Sequence, residues 1–225
     1  MPKYKIADVV WDICPEQENT KNLLKGYEVV TQNADVKVPV MNQDRVPEHM
    51  QLLQYINEQL AGKFQGIMIH AAAIVYRQKA YLFAATPGTG KTTHICLWKQ
   101  VLGDEVLVLN GDKPFVRIKD DQILVYGGPW QGKEGFGCNE VYPLGGVYLL
   151  RRGQENRVCE TTLREKLQGL LDSILLCGDH ESMISTMDIL DAICKTVPVV
   201  ALHCNMEKDA VHTVLKHLVE SDHEN

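Results

Sequence analysis

Residues 87–93 read Pro87, Gly88, Thr89, Gly90, Lys91, Thr92 and Thr93, a run suited to holding phosphate. Glycines let backbone N–H groups converge on phosphate oxygens, and a helix opening at Lys91 adds its partial positive charge. Lys91 is the residue type that neutralises β- and γ-phosphates, and the Thr92 hydroxyl is a hard oxygen donor for Mg²⁺. The pattern G-x-x-x-x-G-K-[ST] calls for glycine at position 85, where this chain has Ala85. A methyl is tolerated there if the residue keeps strand dihedrals. The apolar run 81–85 precedes the turn and a helical stretch, 94–100, follows it, which is the context the motif needs. The expectation is a nucleoside triphosphate site.

A triphosphate pocket needs a further oxygen ligand for its metal, commonly an Asp beyond a neighbouring apolar strand. Asp112 follows the apolar stretch 106–109 with Asn110 and Gly111 between them, and Lys113 comes next. Asp112 is suited to hold the metal or to orient a nucleophile, and Lys113 offsets phosphate charge. The same residues also read as a plain strand-to-hairpin turn. Residues 127–139 combine five glycines with Trp130, Lys133 and Glu134: a stacking face, a cation and a carboxylate. That content fits a lid or substrate clamp, with a solvent loop pinned by Trp130 as the plainer alternative. His70 lies in an apolar run, where histidine is more often a hydrogen-bonded core residue than a catalytic one. Arg151 and Arg152 end another apolar run and either reach phosphate or sit at a solvated strand end.

The elements that must position these groups belong to a chain of 225 residues, 45% hydrophobic, enough for one substantial core. A formal charge of −6 argues against nucleic acid as principal partner. No apolar run approaches the roughly 18 residues that cross a bilayer, and the start has no secretory hydrophobic region. Seven cysteines, never spaced C-x-x-C, point to reduced thiols in the cytoplasm rather than disulfides or zinc.

Residues 1–45 read as a strand-rich segment (4–13, 27–30, 36–41) packed on a nucleotide-binding core of residues 46–225. A helix is expected from Pro47 to Gly62, then strands at 67–76 and 79–85 around Arg77 and Gln78. After the glycine-turn helix come a strand at 105–110, a hairpin of 115–119 and 122–126, and a strand at 145–151. The last third reads as helix 162–177, helix 189–194, strand 198–203 and helix 210–219. Because the strands lack regular crossover helices, the fold class is α/β with a mixed sheet, not a doubly wound parallel one.

Taken in order, the run 67–73 with His70, residues 87–94, Leu97 with Trp98, residues 110–114, and residues 129–134 with Asn139 resemble small proteins related to HPr kinase/phosphorylase. Residues 88–93 are also similar to the phosphate loop of ATP-dependent phosphoenolpyruvate carboxykinase, whose nucleotide-binding fold the HPr kinases share. The resemblance covers residues 70 to about 156. It implies a mixed sheet around the loop, ATP with Mg²⁺, and transfer of the γ-phosphoryl group to a hydroxyl. HPr kinase modifies a serine of a carrier protein, and relatives in lasso-peptide pathways modify a peptide serine. The implied acceptor is therefore a peptide or small protein, with a small hydroxylated metabolite as the other option.

Carried over by position, Pro87, Gly88, Thr89, Gly90, Lys91, Thr92, Thr93 and Lys113 surround the nucleotide, and Thr92 and Asp112 hold the metal. Asp112 falls on an acidic pair that serves as base and metal ligand, and His70 on the histidine before the loop strand. Glu134 falls on a metal-binding acid, and Lys133 is placed to stabilise charge on the transferred group. The chain departs from the family at Gly111, where the first of two adjacent carboxylates stands. One carboxylate then has two jobs, or Glu134 or His70 takes one of them. The segment with which the family binds its carrier protein is not visible. A non-catalytic ATP-binding regulator or scaffold is the second reading, favoured by Gly111, and a carboxykinase the third. HPr kinases form rings, which leaves homo-oligomerisation open.

Overall fold

The computed structural model describes residues 2–41, 46–86 and 88–223. The chain begins with β1 (Lys3–Ile6), β2 (Val9–Asp12), α1 (Glu18–Leu24), β3 (Glu28–Val29), β4 (Val36–Lys37) and α2 (Glu48–Phe64). The central part holds β5 (Gly66–Met68), β6 (Ala71–Tyr76), β7 (Lys79–Ala84), α3 (Lys91–Leu102), β8 (Leu107–Asn110), β9 (Phe115–Lys119) and β10 (Gln122–Tyr126). It ends with β11 (Val141–Arg152), β12 (Arg157–Cys159), α4 (Leu163–Leu171), α5 (His180–Thr196), β13 (Val199–Cys204) and α6 (Asp209–His223).

Three hairpins are closed by two-residue turns without glycine. Both residues have positive φ at Ala7 and Asp8 (51° and 58°), Arg77 and Gln78 (49° and 61°), and Asp120 and Asp121 (50° and 59°). That backbone twist matches the twist of the strands it joins. The first turn splits the single strand expected at 4–13 into β1 and β2, since Ala7 and Asp8 lack the usual Asn-Gly signature.

β1 to β4 form a four-stranded sheet in the order β3-β1-β2-β4. The larger sheet runs β5-β9-β10-β11-β7-β6-β8, with β13 beside β11 and β12 beside β13. β11 is the hinge of this sheet. It is antiparallel to β10 at Val141–Pro143 and then parallel to both β7 and β13. The directions are mixed, as expected for an α/β fold without regular crossovers.

Alternate residues of the central strands feed two cores. Ala71, Ala73, Leu82 and Ala84 pack with Leu170, Ile189 and Ile193 of α4 and α5. Ala72, Ile74, Tyr81 and Phe83 pack on the other face with Ile95 and Trp98 of α3 and Val211 and Val214 of α6. The period of two along each strand is what puts helices on both faces. Phe83 stacks on Tyr148 at 5.3 Å and lies 4.5 Å from the His94 ring. His94 is buried, accepts a hydrogen bond from Trp98 Nε1 at 3.0 Å, and burial lowers its pKa to about 4, so it is neutral. A third core joins Ile6, Trp11 and Leu24 to Leu52 and Ile56 of α2 and to Phe115 and Trp130.

Several boundaries differ from expectation. α2 runs past Gly62 to Phe64 and is capped by Gln65 in the left-handed region. The strand expected at 67–76 breaks at Ile69 and His70. α4 stops at Leu171 rather than Cys177, whereas α5 has 17 residues where only 189–194 were expected. α1 and β12 were not foreseen. Among the described residues, no helix is long and apolar enough to cross a membrane.

Candidate functional site

The turn between β7 and α3 has the form that anion binding requires. Gly88 and Gly90 have φ of 80° and 115°, and a Cβ at either would meet nothing within 4 Å. Backbone conformation, not space, demands glycine there. Gly90 caps α3 without a side-chain hydrogen bond, and no acidic residue stands in the first turn. No side chain among the described residues caps the opening N–H groups of α3, which suits them to an external acceptor. Thr89 Oγ1 donates to the Thr86 carbonyl at 2.8 Å, pinning the turn. Lys91 lies buried beneath it, with Nζ donating to the Ala85 carbonyl at 3.1 Å. Burial lowers its pKa, the Asp112 charge opposes that, and Lys113 adds to it. Thr92 and Thr93 follow half-buried in the first helical turn. Pro87 lies outside the described residues.

Asp112 comes next in space. Asn110, fully buried at the end of β8, accepts from the backbone N–H groups of Asp112 at 2.9 Å and Lys113 at 2.7 Å. Its own amide donates to the Gly128 carbonyl at 3.0 Å. One side chain therefore shapes the turn and ties it to the glycine-rich loop. His70 enters from the break between β5 and β6, where its N–H donates to the Ser173 carbonyl at 2.6 Å. Its Nε2 lies 3.0 Å from Asp112 Oδ1, and Lys113 Nζ pairs with Oδ2. Burial would raise the Asp112 pKa, but hydrogen bonds from His70 and Lys113 and the Lys113 charge hold it down at about 2.

Residues 127–139 fold back over this turn. Trp130 is buried, packs edge-on to Phe115 at 6.0 Å, and donates from Nε1 to the His49 carbonyl at 3.1 Å. The Trp130 carbonyl accepts from Lys113 N and the Phe136 carbonyl from Gly111 N. The loop explains Gly111 locally: a Cβ there would lie 2.8 Å from the Gln131 carbonyl oxygen and 3.3 Å from that of Phe136. Lys133 and Glu134 are exposed at the tip. Gly132 stands between the two carboxylates, because a Cβ there would be 3.8 Å from both Asp112 Cγ and Glu134 Oε2.

Three clefts border these groups. One of about 520 Å³ lies between Thr86 and Thr89, the β11 residues Arg151 and Arg152, and Arg164 of α4. A second, about 460 Å³, is bounded by Gly88, Gly90, Thr93, Leu97, Arg152 and Met206. A third, about 440 Å³, opens over Asp112, Lys113 and Trp130. The structure thus gathers His70, Asp112 and Lys113 into one contact network, keeps Lys91 within electrostatic reach of it, and leaves Lys133 outside it. Among the described residues, no group of three His, Cys, Asp or Glu side chains is placed to hold a metal. Thr92 and Asp112 are oxygen donors of the type Mg²⁺ prefers, and such a metal also takes phosphate oxygens and water.

Two residues bordering the site make contacts that the sequence did not reveal. Asn110 passed for ordinary turn chemistry, although an Asn closing an apolar strand beside Gly and Asp is the signal. Arg152, which the sequence allows at either phosphate or solvent, donates from its guanidinium to the Gly88 carbonyl at 2.5 Å and so reaches the glycine turn.

No family model matches the sequence, and no curated protein matches it. Among solved structures, the chain is similar to the Hpr(Ser) kinase/phosphatase from Coxiella burnetii. The identity is 11%, the TM-score 0.37, and the match covers 70% of this chain and 96% of that one. At those values function has to be read from the site itself.

Proposed function

We propose that the chain is a Mg²⁺-ATP-dependent kinase that transfers the γ-phosphoryl group to a hydroxyl, on a peptide, a small protein or a small metabolite. The observation that carries this reading is the junction of two half-sites. A glycine turn with a buried lysine and an uncapped helix start stands beside an ionised Asp112 held by His70 and Lys113. The phosphates would lie on residues 88–93, with Lys91 and Arg152 offsetting their charge. Thr92 and Asp112 would hold the metal, which supplies further charge neutralisation along the phosphate chain.

The acceptor oxygen forms a bond to the γ-phosphorus as the bond to the ADP oxygen breaks. With a pKa of about 2, Asp112 is a weak base. Its main contribution is to orient the hydroxyl, whose proton leaves late in a reaction dominated by positioning and charge. The second reading, a nucleotide-binding regulator without turnover, draws on Gly111, which leaves one carboxylate where two would divide the work.

Calorimetry with Mg²⁺-ATP separates these readings when paired with a transfer assay. Lys91→Ala is expected to weaken ATP binding about 10- to 100-fold, the scale of a lost hydrogen bond to a charged group, and to abolish turnover. Asp112→Asn should reduce the rate about 100-fold or more while changing ATP affinity far less. Full ATP affinity in Lys91→Ala would sink the phosphate-site assignment. Tight ATP binding without transfer to any hydroxyl would favour the regulator.

A further inference from the structure

The cleft over Asp112 has a second wall built from residues distant in sequence. Asn22, Leu23, Lys25 and Tyr27, at the end of α1 and just after it, line the same cavity of about 440 Å³ as Asp112 and Lys113, together with His49 and Met50 of α2. That volume suits one residue of a peptide or a small molecule. The wall is held to the loop where Gln131 Nε2 donates to the Tyr27 hydroxyl at 3.4 Å.

The charges in the cleft are unevenly matched. Asp112 is compensated by Lys113 and His70. Lys25 is bonded to a neutral partner, Asn22 Oδ1, at 2.5 Å, and no carboxylate pairs with it among the described residues. The Tyr27 phenol is mostly buried, which pushes its pKa up to about 12 and keeps its proton available to an acceptor. The lining of the cleft thus combines a carboxylate suited to a hydroxyl with an ammonium and a phenol suited to an anion.

Resting on the kinase reading above, we propose that this N-terminal wall selects the acceptor, and that the acceptor carries a carboxylate close to its reactive hydroxyl. Lys25 and Tyr27 receive the carboxylate while the hydroxyl meets Asp112. Two sources supply that chemistry: a serine flanked by Asp or Glu in a peptide, or a free hydroxy acid such as glycerate.

The test is binding, measured apart from turnover. Fluorescent serine peptides with Asp or Lys neighbours are titrated by anisotropy into protein loaded with Mg²⁺ and a non-hydrolysable ATP analogue, with glycerate as competitor. The acidic peptide should bind about tenfold more tightly than the basic one, the size expected when one charge contact changes sign. The preference should vanish in Lys25→Gln and reverse in Lys25→Glu, with affinity for the analogue unchanged in both as a control for folding. Direct binding of glycerate without peptide discrimination, lost in Lys25→Glu, assigns the site to the free hydroxy acid. Equal binding of both peptides without glycerate binding, or a preference unmoved in Lys25→Glu, overturns the proposal. Phosphoryl transfer to basic peptides would then leave the kinase reading standing. An acidic preference that follows Lys25 without any transfer would instead sink the kinase reading and keep the anion wall.

Discussion

Asp112 receives opposed influences: burial favours the neutral acid, while His70 and Lys113 favour the carboxylate, and the second pair prevails with a pKa of about 2. A carboxyl group depressed on folding stabilises the native state above its unfolded value, here 3.8, and that contribution is lost as pH falls from 3.8 through about 2. Asp112 is partly solvated, so screening reduces the effect to on the order of 1 kcal/mol. Urea unfolding of wild type and Asp112→Asn should therefore differ by about that much at neutral pH and converge near pH 2. A gap persisting undiminished at pH 2 would mean that the variant harms packing instead. The residue itself was legible from its place after an apolar strand. Its contacts were not, since His70 becomes a neighbour through the strand break at Ile69, and a long apolar run conceals that break. Pairing of Gly66–Met68 with β9 and of Ala71–Tyr76 with β7 requires it.

At the scale of elements, the loop of residues 127–139 behaves as a fitted cover. Its glycines announced irregular structure, but which of them matter depends on what approaches them. Gly127 is obligatory, since a Cβ would fall 1.8 Å from the Cys138 carbonyl oxygen. The same closeness bears on Gly111. Gly111→Asp, which would set a second carboxylate beside Asp112, is expected to push the Gln131 backbone away and cost about 1–3 kcal/mol, the range for overpacking. It should lower the melting temperature and fail to raise activity; a faster and equally stable variant would contradict the fit described. Helix limits were hidden for a related reason. In sequence Gly62 suggests a terminator, yet α2 continues past it, and the glycine instead gives room to α5, where a Cβ would stand 3.0 Å from Ser182 Oγ. The first half of α5 escaped notice because hydroxyls occupy its buried face. Ser182 Oγ donates to the Glu58 carbonyl and Thr186 Oγ1 to the Ser182 carbonyl, satisfying polar groups where apolar periodicity was sought.

For the whole molecule, the question is whether the N-terminal sheet unfolds with the rest. Arg117 of β9 is buried, donating from Nε to the Phe64 carbonyl at 3.0 Å and from Nη1 to the Ala7 carbonyl at 2.6 Å. Asp8 pairs with Lys119 on the same strand. Trp11 and Trp130 belong to one apolar cluster, and Trp98 to a separate one under α3. Strands in residues 1–45 could be read locally, but a hydrogen bond spanning 110 positions has no local signature. A shared core predicts one cooperative transition. Variants keeping only Trp11 or only Trp98, the other tryptophans replaced by Phe, should give coincident denaturation midpoints by fluorescence and by circular dichroism. Arg117→Met leaves the Ala7 and Phe64 carbonyls short of a donor. It should lower both midpoints together, by about 1–3 kcal/mol of stability. An earlier transition seen only by Trp11 would make the N-terminal sheet a separate unit. The acceptor wall it carries would then open independently of Asp112.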